Sequence, residues 1–465
     1  MDEEGGLQAL EGADGPPIQY RVGLDMDEKL NQLWMDYISE SKDKFFWLFL
    51  NKFVEKWETQ VIPSWELLVG SRLSGGRELG PELDKLPEEL LPALSKYLFI
   101  GKDETEQGRI NKEILDQMSR IVKALTIICL NIDNIPLVGS MEFVSHVTQL
   151  NTLLLQHLLE MESTFFSSKV HSAVNNQKLR SAIIATIVES CHFLETLYDP
   201  FFRWRGYLCG KETQGLQILE CPVFLHPVTI PFLYESFETA LVDSFPEIGH
   251  ELLTVFGAII SGSQHNAVSA ISPATTKMIL KTVRDSKTSQ DIHINAIYCS
   301  SKSIRILHET PFEGRQIDLS LVVDQYQQIL LSLTSKPEVS LATLVEGLSL
   351  LTRTLQVKNS AELQELFARR GVVSNFMLVI ENCRLHVNQK RTLLPVVINR
   401  ISLVLKDCEY AQNLMEKESL YTRLFDLVNS CGAPDYNTLY SILGIHRFNY
   451  RINCKFNYGI NCGFN

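Results

Sequence analysis

No run of apolar residues in this 465-residue chain approaches the ~20 that a helix needs to cross a bilayer. The longest apolar stretches cover 121–130 and 252–260, and Lys123, Thr126 and Thr254 interrupt them. No transmembrane segment is expected, so any membrane association would be peripheral or indirect. A basic excess is missing too: 43 Lys+Arg stand against 55 Asp+Glu, for a formal net charge of −12. Neutralising phosphate needs a basic face, so nucleic acid is not an expected partner. The ten cysteines include no CxxC pair, and the chain holds no GxSxG, HExxH or EF-hand loop. No basic segment leads into an apolar core near Met1, so a secretory signal is not expected. The cysteines therefore read as reduced thiols of a cytoplasmic protein. Cys129, Cys191 and Cys299 sit inside apolar helical patterns, where a thiol acts as a small hydrophobe. Strand-like alternation is nearly absent. The balance of 45% apolar and 21% charged residues excludes collagen, a wholly disordered chain and a disulfide-packed miniprotein.

What the chain does have is helix after helix. Leu30, Leu33, Trp34, Tyr37 and Ile38 form an apolar stripe with spacings of three and four. Phe45, Phe46, Phe49, Phe53, Val54 and Trp57 form a second. Over 109–131, Ile114, Met118, Ile121, Val122 and Leu125 share one helix face. The same periodicity predicts helices near 139–160, 177–198, 228–243, 247–261, 290–308, 317–334, 340–356, 394–406 and 411–429. Pro395 then falls in a first helical turn, where a missing N–H costs little. Gly- and Pro-rich stretches predict longer loops at 70–82 and 206–227.

The junctions between helices recur. Ile260, Leu307, Leu355 and Leu405 each close an apolar helix before a polar break, at offsets of 47, 48 and 50 residues. Those offsets lie near the ~40–47 residue period of armadillo and HEAT repeats. Leu130 and Leu197 mark two earlier junctions, 67 apart, which would require insertions. The expectation is an all-α fold, an armadillo/HEAT-like α-solenoid, because a two- or three-helix unit cannot bury its apolar face alone. An irregular helical bundle would also accommodate the stripes. The solenoid would occupy 25–446. Residues 1–28 hold eight acids and one Arg, so 1–24 read as a flexible acidic leader. Residues 447–465 read as an irregular tail, with a near-repeat at Phe448–Tyr450 and Phe456–Tyr458.

Chemistry is sparse. The run from Gly206 to Lys211 is one residue short of a phosphate loop, and Glu212 stands where Ser or Thr is required. Cys383 and His386 have ligand-like spacing, but a closed zinc site needs four ligands. Cys191 and His192 are adjacent, so on a helix they point about 100° apart. Glu160 and Glu162 lie on different helix faces and make a poor acid/base pair. These residues read as core thiols and solvated helix faces; no catalytic residue, cofactor or metal ion is expected. Arg203, Trp204 and Arg205 form the densest aromatic and basic cluster. They are the candidate protein-binding residues, since Arg and Trp are enriched at binding hot spots. A packed corner between repeats is the plainer reading of the same three residues. Arg369, Arg370 and Gly371 read as a basic helix end with a glycine cap.

The run from Leu194 and Leu197 through Asp199, Pro200 and Trp204 resembles the N-terminal region of neurobeachin-like BEACH-domain proteins. The segments 128–135 and 256–266, and the opening Leu30, Leu33, Trp34 and Tyr37, are similar to the same family. The likeness covers about 25–430. It implies a cytosolic scaffold that binds other proteins at intracellular membranes, in vesicle trafficking. Family members continue into PH-like, BEACH and WD40 modules, so the resemblance implies that this chain is a short form with a divergent tail. It carries over no functional residue. The reading drawn here is a non-enzymatic helical-repeat scaffold. A helical adapter unrelated to that family and a helical enzyme with a site assembled by tertiary contact are the alternatives.

Overall fold

A computed structural model describes residues 28–40, 42–61, 86–87, 89–165, 173–199, 223–238, 245–284, 290–309, 319–334, 339–349 (except 343 and 346) and 360–431. Among them 87% are helical and there is no strand, so the fold is all-α. The leader, the tail, the 70–82 loop and most of the 206–227 loop lie outside the described residues.

The helices form where stripe and cap agree. In α4 (Lys112–Cys129) the Asn111 side chain accepts from the Ile114 N–H at 3.0 Å, and Glu113 sits in the first turn. Leu115, Met118, Val122 and Leu125 then bury one face. A short 3₁₀ turn (Ile132–Asn134) and α5 (Ile135–Ser140) follow. The Asn134 side chain donates to the Ile128 carbonyl at 2.9 Å, satisfying one of the last acceptors of α4.

The other N-terminal helices are α1 (Glu28–Glu40), α2 (Asp43–Val61), α3 (Leu90–Glu106), α6 (Phe143–Phe165), α7 (Ala173–Tyr198) and α8 (Thr229–Glu238). Then come α9 (Pro246–Gly262), α10 (Gln264–Ala270), α11 (Pro273–Arg284), α12 (Gln290–Glu309) and α13 (Leu319–Thr334). The C-terminal set is α14 (Ser360–Arg369), α15 (Val372–Asn382), α16 (Val387–Leu405), α17 (Glu409–Lys417) and α18 (Leu420–Ser430).

Their contacts run in two series. In the first, α2 touches α4, α4 touches α7, α7 touches α9 and α9 touches α12. In the second, α3 touches α6, α6 touches α8, α8 touches α11, α11 touches α13, α13 touches α15 and α15 touches α18. Rungs join the series at α3–α4, α6–α7, α8–α9 and α11–α12. Residues 341–349 carry the first series toward α16: the Tyr326 hydroxyl donates to the Gly347 carbonyl at 3.3 Å and Arg400 Nε to the Leu348 carbonyl at 3.1 Å. Each helix therefore meets near neighbours in sequence, as stacked repeats require. Helix α9 is buried at Ile248, at Gly249 and at every position from 251 to 260. A helix apolar on all sides must be covered on most of them, and α7, α8, α10 and α12 touch it.

The expected junctions fall where the series turn. Ile260, Leu307 and Leu405 lie in the last turns of α9, α12 and α16, while Leu130 and Leu197 close α4 and α7. Leu355 lies outside the described residues. Gly371 has φ of 72° and its N–H bonds the Ala368 carbonyl at 3.0 Å, so the glycine end after Arg370 is as expected.

Three readings need correction. Pro395 sits inside α16, not in its first turn. The preceding turns stay helical because Leu393 and Leu394 are buried and Arg391 Nε donates to the Cys431 carbonyl at 2.6 Å. That tertiary anchoring outweighs the single backbone bond lost to proline. The 411–429 pattern is two helices, broken at Ser419, where φ is 54°. Ala411 and Met415 bury in α17, which meets α14, whereas Leu420, Leu424 and Leu427 bury in α18, which meets α15. Helices α3, α10, α11, α14 and α15 fall outside the predicted spans; in α3 the apolar residues crowd both sides, with Leu90, Leu91, Ala93, Leu94, Tyr97 and Leu98 all buried.

Candidate functional site

Arg203, Trp204 and Arg205 lie outside the described residues. One set of the described charged groups meets along the first series. Lys123 of α4 approaches Glu189 of α7, with Nζ 3.3 Å from Oε1. Glu189 Oε2 lies 3.8 Å from His192 Nδ1, and His192 Nε2 lies 3.4 Å from Glu251 Oε2 of α9. Lys123, two carboxylates and the His192 imidazole thus link three successive helices of the series. These side chains are half-buried, with side-chain exposures of 28% for Lys123, 22% for Glu189, 29% for His192 and 11% for Glu251. Burial opposes ionisation of Glu189, but His192 and Lys123 outweigh it and hold the carboxyl below its ordinary value.

The strip continues. Asn295 of α12 donates through Nδ2 to the Thr254 hydroxyl of α9 at 3.1 Å, 3.3 Å from His250 Nδ1. Further along, the Ser261 and Tyr298 hydroxyls share a hydrogen bond of 2.7 Å. Asn295, Tyr298, Lys302 and Arg305 recur at helical spacing on α12, so the partly exposed positions of this helix form one stripe. The strip offers hydrogen-bond donors, acceptors and charges of both signs. Recognition of a polar protein surface needs such a set.

The other sequence candidates separate. Cys191 is fully buried while His192 faces Glu189 and Glu251. Cys383 is buried near the end of α15, whereas His386 is an exposed cap whose N–H donates to Gln389 Oε1 at 3.2 Å. Glu160 approaches His157 at 3.8 Å and Glu162 approaches Arg180 at 3.3 Å, so the two carboxylates have different partners. No group of three His, Cys, Asp or Glu suited to a metal ion occurs among the described residues. Large apolar side chains surface elsewhere, chiefly Phe224 at 73% exposure, and Phe99 and Ile100 on α3.

Sequence reading missed the role of Lys123, Glu189 and Glu251. Glu189 and His192, three apart on one helix, were the one local signal. The other pairings join residues too distant in sequence for any periodicity to reveal.

The segments that carry the family resemblance build joints. Segment 128–135 forms the exit from α4, with Asn131 and Asn134 buried. Segment 256–266 forms the α9–α10 corner. There Asn266 donates to the Val223 carbonyl at 2.7 Å and accepts from the Leu225 N–H at 2.8 Å. At the end of α7, the Tyr198 hydroxyl bonds Thr229 at 2.8 Å and accepts from the His226 N–H at 3.2 Å. Among known protein families, no family model matches the chain.

Proposed function

We propose that this chain is a non-enzymatic scaffold, an armadillo/HEAT-like α-solenoid that binds other proteins along the polar strip of its first series. One observation carries the reading: polar ties between helices recur at a repeat-like separation. Asn295–Thr254, Gln325–Thr276, Arg370–Asp324, Arg423–Ser374 and Gln364–Lys406 span 41, 49, 46, 49 and 42 residues. Each tie fixes one repeat to the next, and stacked repeats create an extended surface suited to protein partners. The resemblance to neurobeachin-like BEACH-domain proteins supplies the setting. It supports a cytoplasmic scaffold, peripheral to intracellular membranes, that acts in vesicle trafficking.

The test is a capture experiment with the full chain. Wild type is compared with Glu247→Lys plus Arg305→Glu, both exposed on first-series helices, and with Lys96→Glu on α3 of the second series. The strip variant is expected to lose a defined set of partners that wild type and Lys96→Glu retain. Equal recovery by all three proteins would refute binding through the strip.

A further inference from the structure

Arg400 of α16 is a half-buried cation that no carboxylate of the described residues meets within ion-pair reach. Other arginines between helices are compensated: Arg370 faces Asp324 at 3.0 Å and Arg423 faces Glu381 at 2.7 Å. Helix α16 supplies no acid, since its 19 residues hold Lys390, Arg391 and Arg400 and neither Asp nor Glu. Arg400 Nε donates to the Leu348 carbonyl at 3.1 Å, and Nη2 donates to the Ser349 hydroxyl at 3.4 Å. Ser349 is free to accept because its own proton goes to the Val345 carbonyl at 2.7 Å. The ionisable neighbour of Arg400 is Tyr326, which is fully buried and donates to the Gly347 carbonyl at 3.3 Å. Burial raises the pKa of that phenol, so it stays neutral. Burial also pulls the Arg400 guanidinium below its ordinary pKa. A half-buried charge without a counter-charge costs stability, so its presence calls for a partner.

One edge of the guanidinium is left open. Nε–H and one Nη2–H lie side by side on the edge that Leu348 and Ser349 occupy. The other edge pairs the second Nη2–H with an Nη1–H, and Nη1 makes no hydrogen bond among the described residues. Two parallel N–H donors match the two oxygens of a carboxylate. We propose that Arg400 anchors a carboxylate-binding site on the first series, which takes a Glu- or Asp-rich segment of a partner protein. The charge of the series favours such a segment. Helix α9 carries Glu247 and Glu251 without Lys or Arg, whereas α16 carries three bases without an acid. An acidic segment is therefore turned away from α9 and drawn to α16. A single open fork suits one carboxylate better than a phosphate dianion, whose charge calls for a second cation. This site rests on the scaffold reading and names the chemistry of the partner.

The experiment is fluorescence anisotropy with the full chain and fluorescein-labelled octaglutamate, with labelled octaglutamine as the control. Wild type should bind octaglutamate more tightly than octaglutamine, and Arg400→Gln should weaken that binding about tenfold, the effect of one charge-assisted fork. Arg400→Lys should lose most of the same, because lysine cannot make the fork. Arg384→Gln removes an exposed base just before α16 and should change the affinity by less than about twofold. Should the Arg400 variants fail to fold, wild type decides alone: octaglutamate, but not octaglutamine, should shield Arg400 from phenylglyoxal, read by peptide mass spectrometry. Equal binding of the two peptides would overturn the site, as would equal losses in Arg384→Gln and Arg400→Gln, or no shielding of Arg400. Displacement of octaglutamate by inorganic phosphate more strongly than by acetate, at equal ionic strength, would overturn the carboxylate assignment. The Glu247→Lys plus Arg305→Glu variant leaves Arg400 in place. Partners lost by that variant, with no binding of octaglutamate to wild type, would refute this site and leave the scaffold reading standing.

Discussion

Gly262 is where the first series is packed most closely, and replacing it with alanine should be the costliest methyl addition in the described chain. Gly262 is the last residue of α9 and lies against the last turn of α7. A Cβ there would fall 2.9 Å from the Tyr198 carbonyl carbon, deep inside contact distance of the carbonyl oxygen, and 3.2 Å from Asp199 Cβ. Two of those atoms are backbone, so no side-chain rotation relieves the clash. Clearing it needs the helices to part by about 1 Å, a gap that forfeits a quarter to a half of each contact along the seam. Tyr198 also anchors Thr229 and His226, at 2.8 and 3.2 Å, so the displacement spreads to α8. Overpacking ordinarily costs about 1–3 kcal/mol, and Gly262→Ala belongs at or beyond the top of that range. Two other glycines serve as controls. At Gly101 a Cβ would meet only the Met118 side chain, which can move, and the gain in helix propensity offsets about 1 kcal/mol. At Gly371 the space is open but φ is 72°, so Gly371→Ala should cost about 1–2 kcal/mol of backbone strain. Urea denaturation of the three full-length variants ranks them, and hydrogen exchange locates the loss. If Gly262→Ala is no more destabilising than Gly101→Ala, the α7–α9 contact is not what the structure shows.

Asn266→Ala should cost about 2–3 kcal/mol, because it leaves the Val223 carbonyl and the Leu225 N–H without their partner. Asn266→Asp should recover little, since a carboxylate cannot donate to Val223; thermal unfolding reads both. Arg423 forks onto Glu381 at 2.9 and 2.7 Å and donates to Ser374 at 2.7 Å, tying α18 to α15. That pair is about one-third exposed, so Arg423→Ala should cost only about 1 kcal/mol, and Arg423→Lys most of the same because lysine cannot make the fork. Glu189 gives an acid-side signature. Its carboxyl is held below the ordinary 4.5, so its contribution is full above that value and is lost as pH falls through the lowered one. Acid unfolding of Glu189→Gln should therefore be flatter than that of wild type below pH 4.5.

Burial periodicity carried the sequence reading well where one face of a helix is apolar, as in α4. It located the closing turns of α4, α7, α9, α12 and α16 from residues such as Leu130, Ile260 and Leu405. It failed where tertiary contact overrides local preference. Pro395 reads as a helix start, yet buried Leu393 and Leu394 extend α16 past it. Ser419 gives no sign of a break until α17 and α18 are seen to bury against different helices. The polar strip was nearly invisible, since Lys123, Glu189, His192 and Glu251 belong to three helices. A half-buried charge on an apolar helix reads as an interruption until its partner is known.

The polar ties also follow the changing separation of the helix junctions along the chain. Between α4 and α7, the Thr186 hydroxyl reaches the Leu115 carbonyl at 3.4 Å across a separation of 71 residues. From α9 onward most such ties span 37 to 52 residues, from Ser261–Tyr298 to Arg400–Leu348. A first-series step is the length of chain needed to leave one helix, traverse the second series and return. In the N-terminal step that excursion holds the 3₁₀ turn, α5 and the 23-residue α6. In the step from α9 to α12 it holds α10 and α11, of 7 and 12 residues. The insertion required by the Leu130–Leu197 spacing is therefore α5 with its 3₁₀ turn, together with a longer second-series helix. Lys123, Glu189 and Glu251 lie on α4, α7 and α9, the helices joined by the two longer steps. Polar side chains suit those steps: long polar pairs such as Lys123–Glu189 tolerate small changes of stacking angle that close apolar packing, as at Gly262, does not.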